Sequence, residues 1–414
     1  MEQGCLNREI MGGNYRLHFN DMAVVPGKNL GYASSMEFNG LFEVRLDTWE
    51  CTYIADFPNE KKFQKDTHFS AVYCEGRVFF FPQRGTYISI YTPEEGTFSQ
   101  IELRACGYPH YYGHIKIGQA FSHGKKVYAV GASYPYVVVI DGGTLEAAYI
   151  PMDVGKRAIM FRAGGCFAGE KFFIPSTVSG LILSIDLTDD AVRLHSPEPA
   201  YKGAWAMAYD GEKFWIAPFW ERDAVRAWDP EDGRVVAYAD FPKGYRSGGN
   251  PFLRCFFVNG RIWLWPWTAN MILSVDPMDG RMREESCGMD FSDEAMTGCL
   301  FVKNSSLCLK RKAKREDAWY AQEGEVCTFD LKEWKLEKRA FVFSGGRNDF
   351  LRSLSALAVG RLRNGVGESD EFSLEEYVAL LQAGGQEMSG SVDDAGENVG
   401  SRIYGLLVKD WNGR

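Results

Sequence analysis

The chain has 414 residues, of which 45% are apolar, 24% charged and 14% aromatic. That composition suits a packed globular protein and is far too apolar for a disordered one. With 46 basic against 55 acidic residues the net charge is −9, which argues against a general coat for nucleic acid or an anionic membrane, although a local basic patch stays open.

The first twenty residues include Glu2, Arg8, Glu9 and Arg16 and no apolar core, so no signal peptide is read there. The longest apolar runs, 79–82 and 136–140, are strand-sized and far below the ~20 residues of a membrane span. Ten cysteines are scattered singly without a C-x-x-C pair, and some, such as Cys74, fall inside apolar strands. Buried thiols in a reducing compartment are the expectation, and with them a cytoplasmic protein.

Self-similarity organises the rest. A turn glycine between two strands, usually followed by Lys or Arg, recurs as Gly27, Gly76, Gly124, Gly169, Gly211 and Gly260, with Asn304 as a seventh candidate. The spacings are 49, 48, 45, 42, 49 and 44 residues. A period in the forties with no helical pattern inside it marks a β-propeller blade. After the glycine comes an aromatic strand ending near Pro (78–82, 172–175, 214–218, 262–266). A second strand ends at Asp141, Asp186, Asp229, Asp276 or Asp330, and a Gly/Asp/Pro turn leads to an outer strand. Four strands per unit over residues 13–343 predict an all-β, seven-bladed β-propeller, with six or eight blades left open. Residues 351–363 are a candidate strand for closing the ring.

Residues 344–414 read as an extension. Segment 372–382 opens with Ser373 and has Glu376 three residues on, a capping box on a short amphipathic helix. Residues 383–400 are a Gly/Ser/Asp-rich flexible linker, and 403–408 is a second apolar segment. Such a tail either packs on the ring, which is the expectation, or docks a partner.

The repeat at 259–280, Asn-Gly-Arg-Ile-Trp-Leu-Trp-Pro through Asp-Pro-Met-Asp-Gly, resembles the blade repeat of the streptogramin B (virginiamycin B) lyases. The resemblance implies the propeller fold. In that family a metal-assisted elimination opens a cyclic peptide lactone, using His and Glu residues of the later blades around a magnesium ion. Here the last histidine is His195, in the fourth unit, so no catalytic residue is carried over. Kelch repeats are a second comparison, but their doubled glycine is missing.

In a propeller, the loops from second to third strand and those between blades form one face around a central channel. Here those loops collect arginines and aromatics: Arg84, Tyr112, Tyr134, Arg157, Arg162, Trp205, Trp220, Arg222, Arg246, Arg254, Trp267 and, in a basic loop at 310–315, Arg315. Arginine forks suit carboxylate, phosphate or sulfate, and flat aromatics suit sugar rings. An anionic or glycan-like ligand is the sharper reading, and a solvated cover over the ring the plainer one. The densest chemical cluster is 108–116, with His110 and His114 four apart, but Pro109 and Gly113 argue against a helix aligning them, so no metal site is assigned. His114 with Glu221, brought from a distant loop, is a conceivable acid–base pair. No nucleotide or cofactor motif is present, so no cofactor is expected. The basic run lacks an aromatic stripe for base stacking, which argues against nucleic acid.

Two classes of function follow. The first is a propeller binding a small-molecule or glycan-like ligand, or a protein partner, through the Arg/aromatic face. The alternative is a lyase or hydrolase acting on a glycan or modified peptide at the channel mouth, with His68, His110 or His114.

Overall fold

The computed structural model describes residues 18–343 except 62–63, 107–114, 156, 198–200, 222, 290, 292–293, 304–305, 314–324 and 332. These residues form seven antiparallel sheets and no helix. Each sheet is a meander of four sequential strands, and the first sheet carries a fifth strand at its outer edge. Expectation and structure agree on seven blades. The proposed tail helix, the linker and the segment 351–363 lie outside the described residues, as does Asn304.

The repeat glycines work as the spacing requires. Gly27, Gly76, Gly124, Gly169, Gly211 and Gly260 all have positive φ, between 57° and 108°. At Asn259–Gly260 both residues are left-handed (φ 51° and 72°). This is the two-residue turn that matches the strand twist, and a β-branched residue there would be strained.

An even number of strands per blade decides the layout. Four antiparallel strands return the chain to the face it left, so every first strand starts on the same face. The described loops between blades and from second to third strand share that face, and the glycine turns occupy the other. The first strands are Phe19–Val24, His68–Cys74, Ile117–His123, Cys166–Ala168, Ala204–Tyr209, Phe252–Val258 and Glu294–Lys303. They surround the central channel, and the last of them lies against the first.

The second strands are apolar along their whole length because both their faces are covered by neighbouring blades. In Arg77–Pro82, Val78 and Phe80 pack with Tyr32 and Leu41 of blade 1, while Phe79 and Phe81 pack with Val127 and Ile140 of blade 3. All four of these blade 2 side chains are fully buried, each contributing about 1.5–3 kcal/mol of burial. Trp215 and Trp265 serve the same purpose in blades 5 and 6.

Among the described residues, a short strand directly after blade 7 takes part in closure. Val342–Phe343 pairs in parallel with Glu50–Ala55 as the outermost strand of blade 1, with Val342 N–H donating to Trp49 O at 2.8 Å. Phe341, just before it, packs edge-on against Phe19 and Trp49 (centroids 5.0 and 5.8 Å). The closing strand therefore follows directly on blade 7, because the chain leaves that blade beside blade 1 and the outer edge there is unpaired.

Candidate functional site: the central channel

A cavity of about 620 Å³ lies within the ring. Its wall is built by the first strands and the residues leading into them. Polar side chains stand out on these strands: Asn20 and Asp21 in blade 1, Ser70 in blade 2, Gln119 in blade 3 and Arg254 in blade 6.

Arg162 is the centre of the site. It precedes Gly164 and Gly165, and a side-chain carbon at Gly164 would sit 2.5 Å from Trp205 O. Glycine there lets the entry to blade 4 lie against blade 5, which sets Arg162 beside Trp205. The guanidinium is 5.2 Å from the Trp205 ring centroid and 5.9 Å from that of Phe69, within cation–π range of both. It makes no hydrogen bond or ion pair to any described residue, and its Nε is buried. Burial holds it below the ordinary arginine value, with the Asp66 charge acting against that. Trp205 in turn stacks on Phe219 at 5.7 Å and meets the edge of Trp267 at 4.6 Å. Phe219 touches Trp220, which is 46% exposed. A row of aromatics thus leads from the arginine to the surface.

Asp21 is the opposite pole. Burial raises its carboxyl above the ordinary range. The Ala71 and Met22 N–H groups, the Ser70 hydroxyl and the Arg254 charge all act against that. Among the described residues the Arg254 guanidinium donates only to its neighbour, Leu253 O, at 3.4 Å. At the mouth, His18 Nδ1 lies 2.6 Å from Glu37 Oε1, and Glu37 is buried and accepts from the Ser35 hydroxyl at 3.1 Å. Asn20 Nδ2 donates to His68 O and Gln83 Oε1, tying blade 1 to blade 2.

Of the residues singled out in the sequence, Arg162, Trp205, Arg254 and Trp267 line this cavity together. Arg84 lies next to it, following the lining residue Gln83, and its backbone N–H donates to Asp66 O. Tyr134 is buried away from the channel, its hydroxyl donating to Arg104 O at 2.8 Å. Arg157 is spent on its own loop, donating to Asp153 O and Val154 O. It borders a separate depression of about 340 Å³ with Ser179 and Pro197. Arg246 and Glu221 are exposed, and the Arg246 N–H donates to Asn270 Oδ1. His110, Tyr112, His114, Arg222 and Arg315 lie outside the described residues. His68 is buried in the blade 1–2 interface between Phe57 and Phe80. Among the described residues no group of three His, Cys, Asp or Glu side chains is placed to hold a metal ion.

The loop pattern does not pick out Asn20, Asp21 and Gln119, which lie inside first strands, nor Phe69 and His18, whose chemistry is ordinary for a strand and its lead-in. For Asn20, Asp21 and Gln119 the sequence does carry a signal: a polar residue inside the first strand of a blade faces the channel, since the strand's other neighbours are apolar.

No protein-family model matches the sequence, and none of the curated proteins does. Among solved structures, the chain is similar to the WD40 repeats of RRP9 at 9% identity, covering 78% of this chain and 96% of that one, with a TM-score of 0.53. It is similar to YCF48 from Cyanidioschyzon merolae at 11% identity, over 72% and 93% of the two chains, with a TM-score of 0.50. A streptogramin B lyase structure aligns at 12% identity over 71% and 94%, with a TM-score of 0.49. At such identities the likenesses to the RRP9 repeats and YCF48 speak for the fold alone. The chain is a seven-bladed β-propeller.

Proposed function

We propose that the protein binds a small anionic ligand in its central channel, with Arg162 as the anchor and Arg254 as a second positive charge. The carrying observation is that Arg162 is largely buried, held between two aromatic rings, and given no acceptor by the surrounding described residues. An arginine fork placed this way is matched by a carboxylate or phosphate. A propeller is a scaffold for ligands or for proteins, and the enclosed position of Arg162 favours the former. The same reading sets the protein in the cytoplasm: the thiols of Cys74, Cys166 and Cys255 are all raised by burial and suit a reducing compartment. No helix among the described residues is long and apolar enough to cross a membrane.

Titration calorimetry with sodium phosphate and sodium acetate tests the binding reading. Wild type should bind at least one of them, and Arg162→Met should weaken it about ten- to hundredfold, the loss of one charge-assisted hydrogen bond. Absence of binding to either anion, or binding that ignores Arg162→Met, removes this reading.

Catalysis at the channel mouth is a second reading, favoured by the His18–Glu37 contact. A buried carboxylate on Nδ1 orients an imidazole for proton transfer. If that ring meets the ligand, its ¹⁵N resonances shift on saturation with phosphate; unchanged resonances eliminate the idea.

A further inference from the structure

The channel is not uniform along its length. All first strands start on the loop face, so position along a strand is depth in the channel. Trp205 and Arg254 sit near the starts of Ala204–Tyr209 and Phe252–Val258, and Arg162 lies in the entry to blade 4. Tyr209 lies four residues beyond Trp205, and Phe257 three beyond Arg254, which is about 13 and 10 Å deeper at ~3.3 Å per residue. Phe167, inside the short strand Cys166–Ala168, lies toward the same far end, before the Gly169 turn. That deep end is apolar. Phe167, Phe256, Phe257 and Tyr209 line it on one side, and the small side chains Ala71 and Ala120 on the other.

Two of these aromatics are conspicuous in their exposure. Phe167 is 49% and Phe257 39% exposed, Phe167 being covered on one side by Phe121 and Phe172, whereas rings of this size are usually more fully buried. One cavity therefore joins an arginine pole, where Arg162 has no acceptor among the described residues, to an aromatic pole, where rings are only partly covered.

We propose that the ligand is an amphipathic acid, with a carboxylate or phosphate head at Arg162 and an apolar chain or aryl tail about 10–13 Å long reaching Phe257 and Phe167. This rests on the anion-binding reading and adds the tail to it. The head meets the fork held by Phe69 and Trp205. The tail displaces water from the aromatic end, each buried methylene giving about a fourfold gain in affinity.

The test titrates the full chain with octanoate, acetate and 1-octanol, repeated for Arg162→Met and Phe257→Ser. Phe257 is a partly exposed side chain, so its replacement leaves the blade core intact. Octanoate should bind at least about a hundredfold more tightly than acetate. Phe257→Ser should weaken octanoate about tenfold and leave acetate unchanged, while Arg162→Met weakens both. Octanoate no tighter than acetate, with acetate still dependent on Arg162, overturns the tail and leaves the anion site standing. Octanoate binding that ignores Phe257→Ser overturns the assigned tail position, and octanol binding as tightly as octanoate overturns the head. Failure of octanoate and acetate alike overturns the amphipathic acid, and takes the anion reading down with it only where phosphate also fails to bind.

Discussion

The Asp21 carboxylate accepts a hydrogen bond from the Ser70 hydroxyl at 2.8 Å, joining blade 1 to blade 2 in the channel wall. The same oxygen accepts the Ala71 N–H at 2.9 Å, and Ser70 Oγ accepts the Ala120 N–H of blade 3 at 3.2 Å. Three blades are thus tied by one buried chain of polar groups. Asp21→Ala strands the Ala71 N–H and the Ser70 hydroxyl and should lower unfolding free energy by about 3 kcal/mol. Ser70→Ala should lower it by about 1–2 kcal/mol. Because the two share a network, the double variant should lose less than the sum. Strictly additive losses in urea unfolding would show that the chain does not act as a unit.

His68 makes stability depend on pH. It is enclosed by Phe57 and Phe80, with Nδ1 3.0 Å from Ser34 Oγ and Nε2 buried without a partner among the described residues. Burial pushes it from an ordinary 6.5 down to about 3. The unfolded chain therefore binds the proton more readily. The stabilising contribution is complete above pH 6.5 and disappears as pH falls toward 3. Between pH 7 and 4.5 the loss from this one group should approach about 3 kcal/mol. His68→Phe should flatten that part of the profile; an unchanged slope would mean that other groups produce it.

Phe341 holds the closure of the ring, buried against Phe19 and Trp49. Phe341→Ala should cost about 3 kcal/mol, the usual penalty for emptying such a site. The measurable sign is a lower thermal midpoint together with faster proteolysis near the blade 1 edge. A change under about 0.5 kcal/mol, the size expected at a surface position, would show that the closing strand adds little.

Arg162 should behave in the opposite sense. With no acceptor for its donors among the described residues, Arg162→Met removes a desolvated charge and keeps the contact with Trp205. The ligand-free protein should then be as stable as wild type or more stable by about 1 kcal/mol, even as anion binding falls. Marked destabilisation in a thermal melt would assign the arginine to the structure instead of the ligand.

Fold was legible because its determinants are local. The Gly76 and Gly260 turns need left-handed backbone, which their sequence announces, and the doubly covered strand Arg77–Pro82 is recognisable as an unbroken apolar run. Half of the site was legible for the same reason, since Arg162, Trp205, Arg254 and Trp267 carry recognisable chemistry. Tyr134 and Arg157 carry equally suitable chemistry and are used elsewhere, on Arg104 O and on Asp153 and Val154 O. Composition has no means of separating these two groups.

The sequence by itself determined the blade repeat, the strand order within a blade and the turns, because each blade is specified by residues within about fifty positions of one another. That the blades number seven, and not six or eight, came from the structure. Only the tertiary structure decided that blades 1, 4, 5 and 6 bring Asp21, Arg162, Trp205 and Arg254 to one cavity. It also decided that Val342–Phe343 is the strand that closes the ring. Those relationships depend on the curvature that accumulates blade by blade, and on close approaches such as Gly164 against Trp205, where residues distant in the chain must fit without a gap.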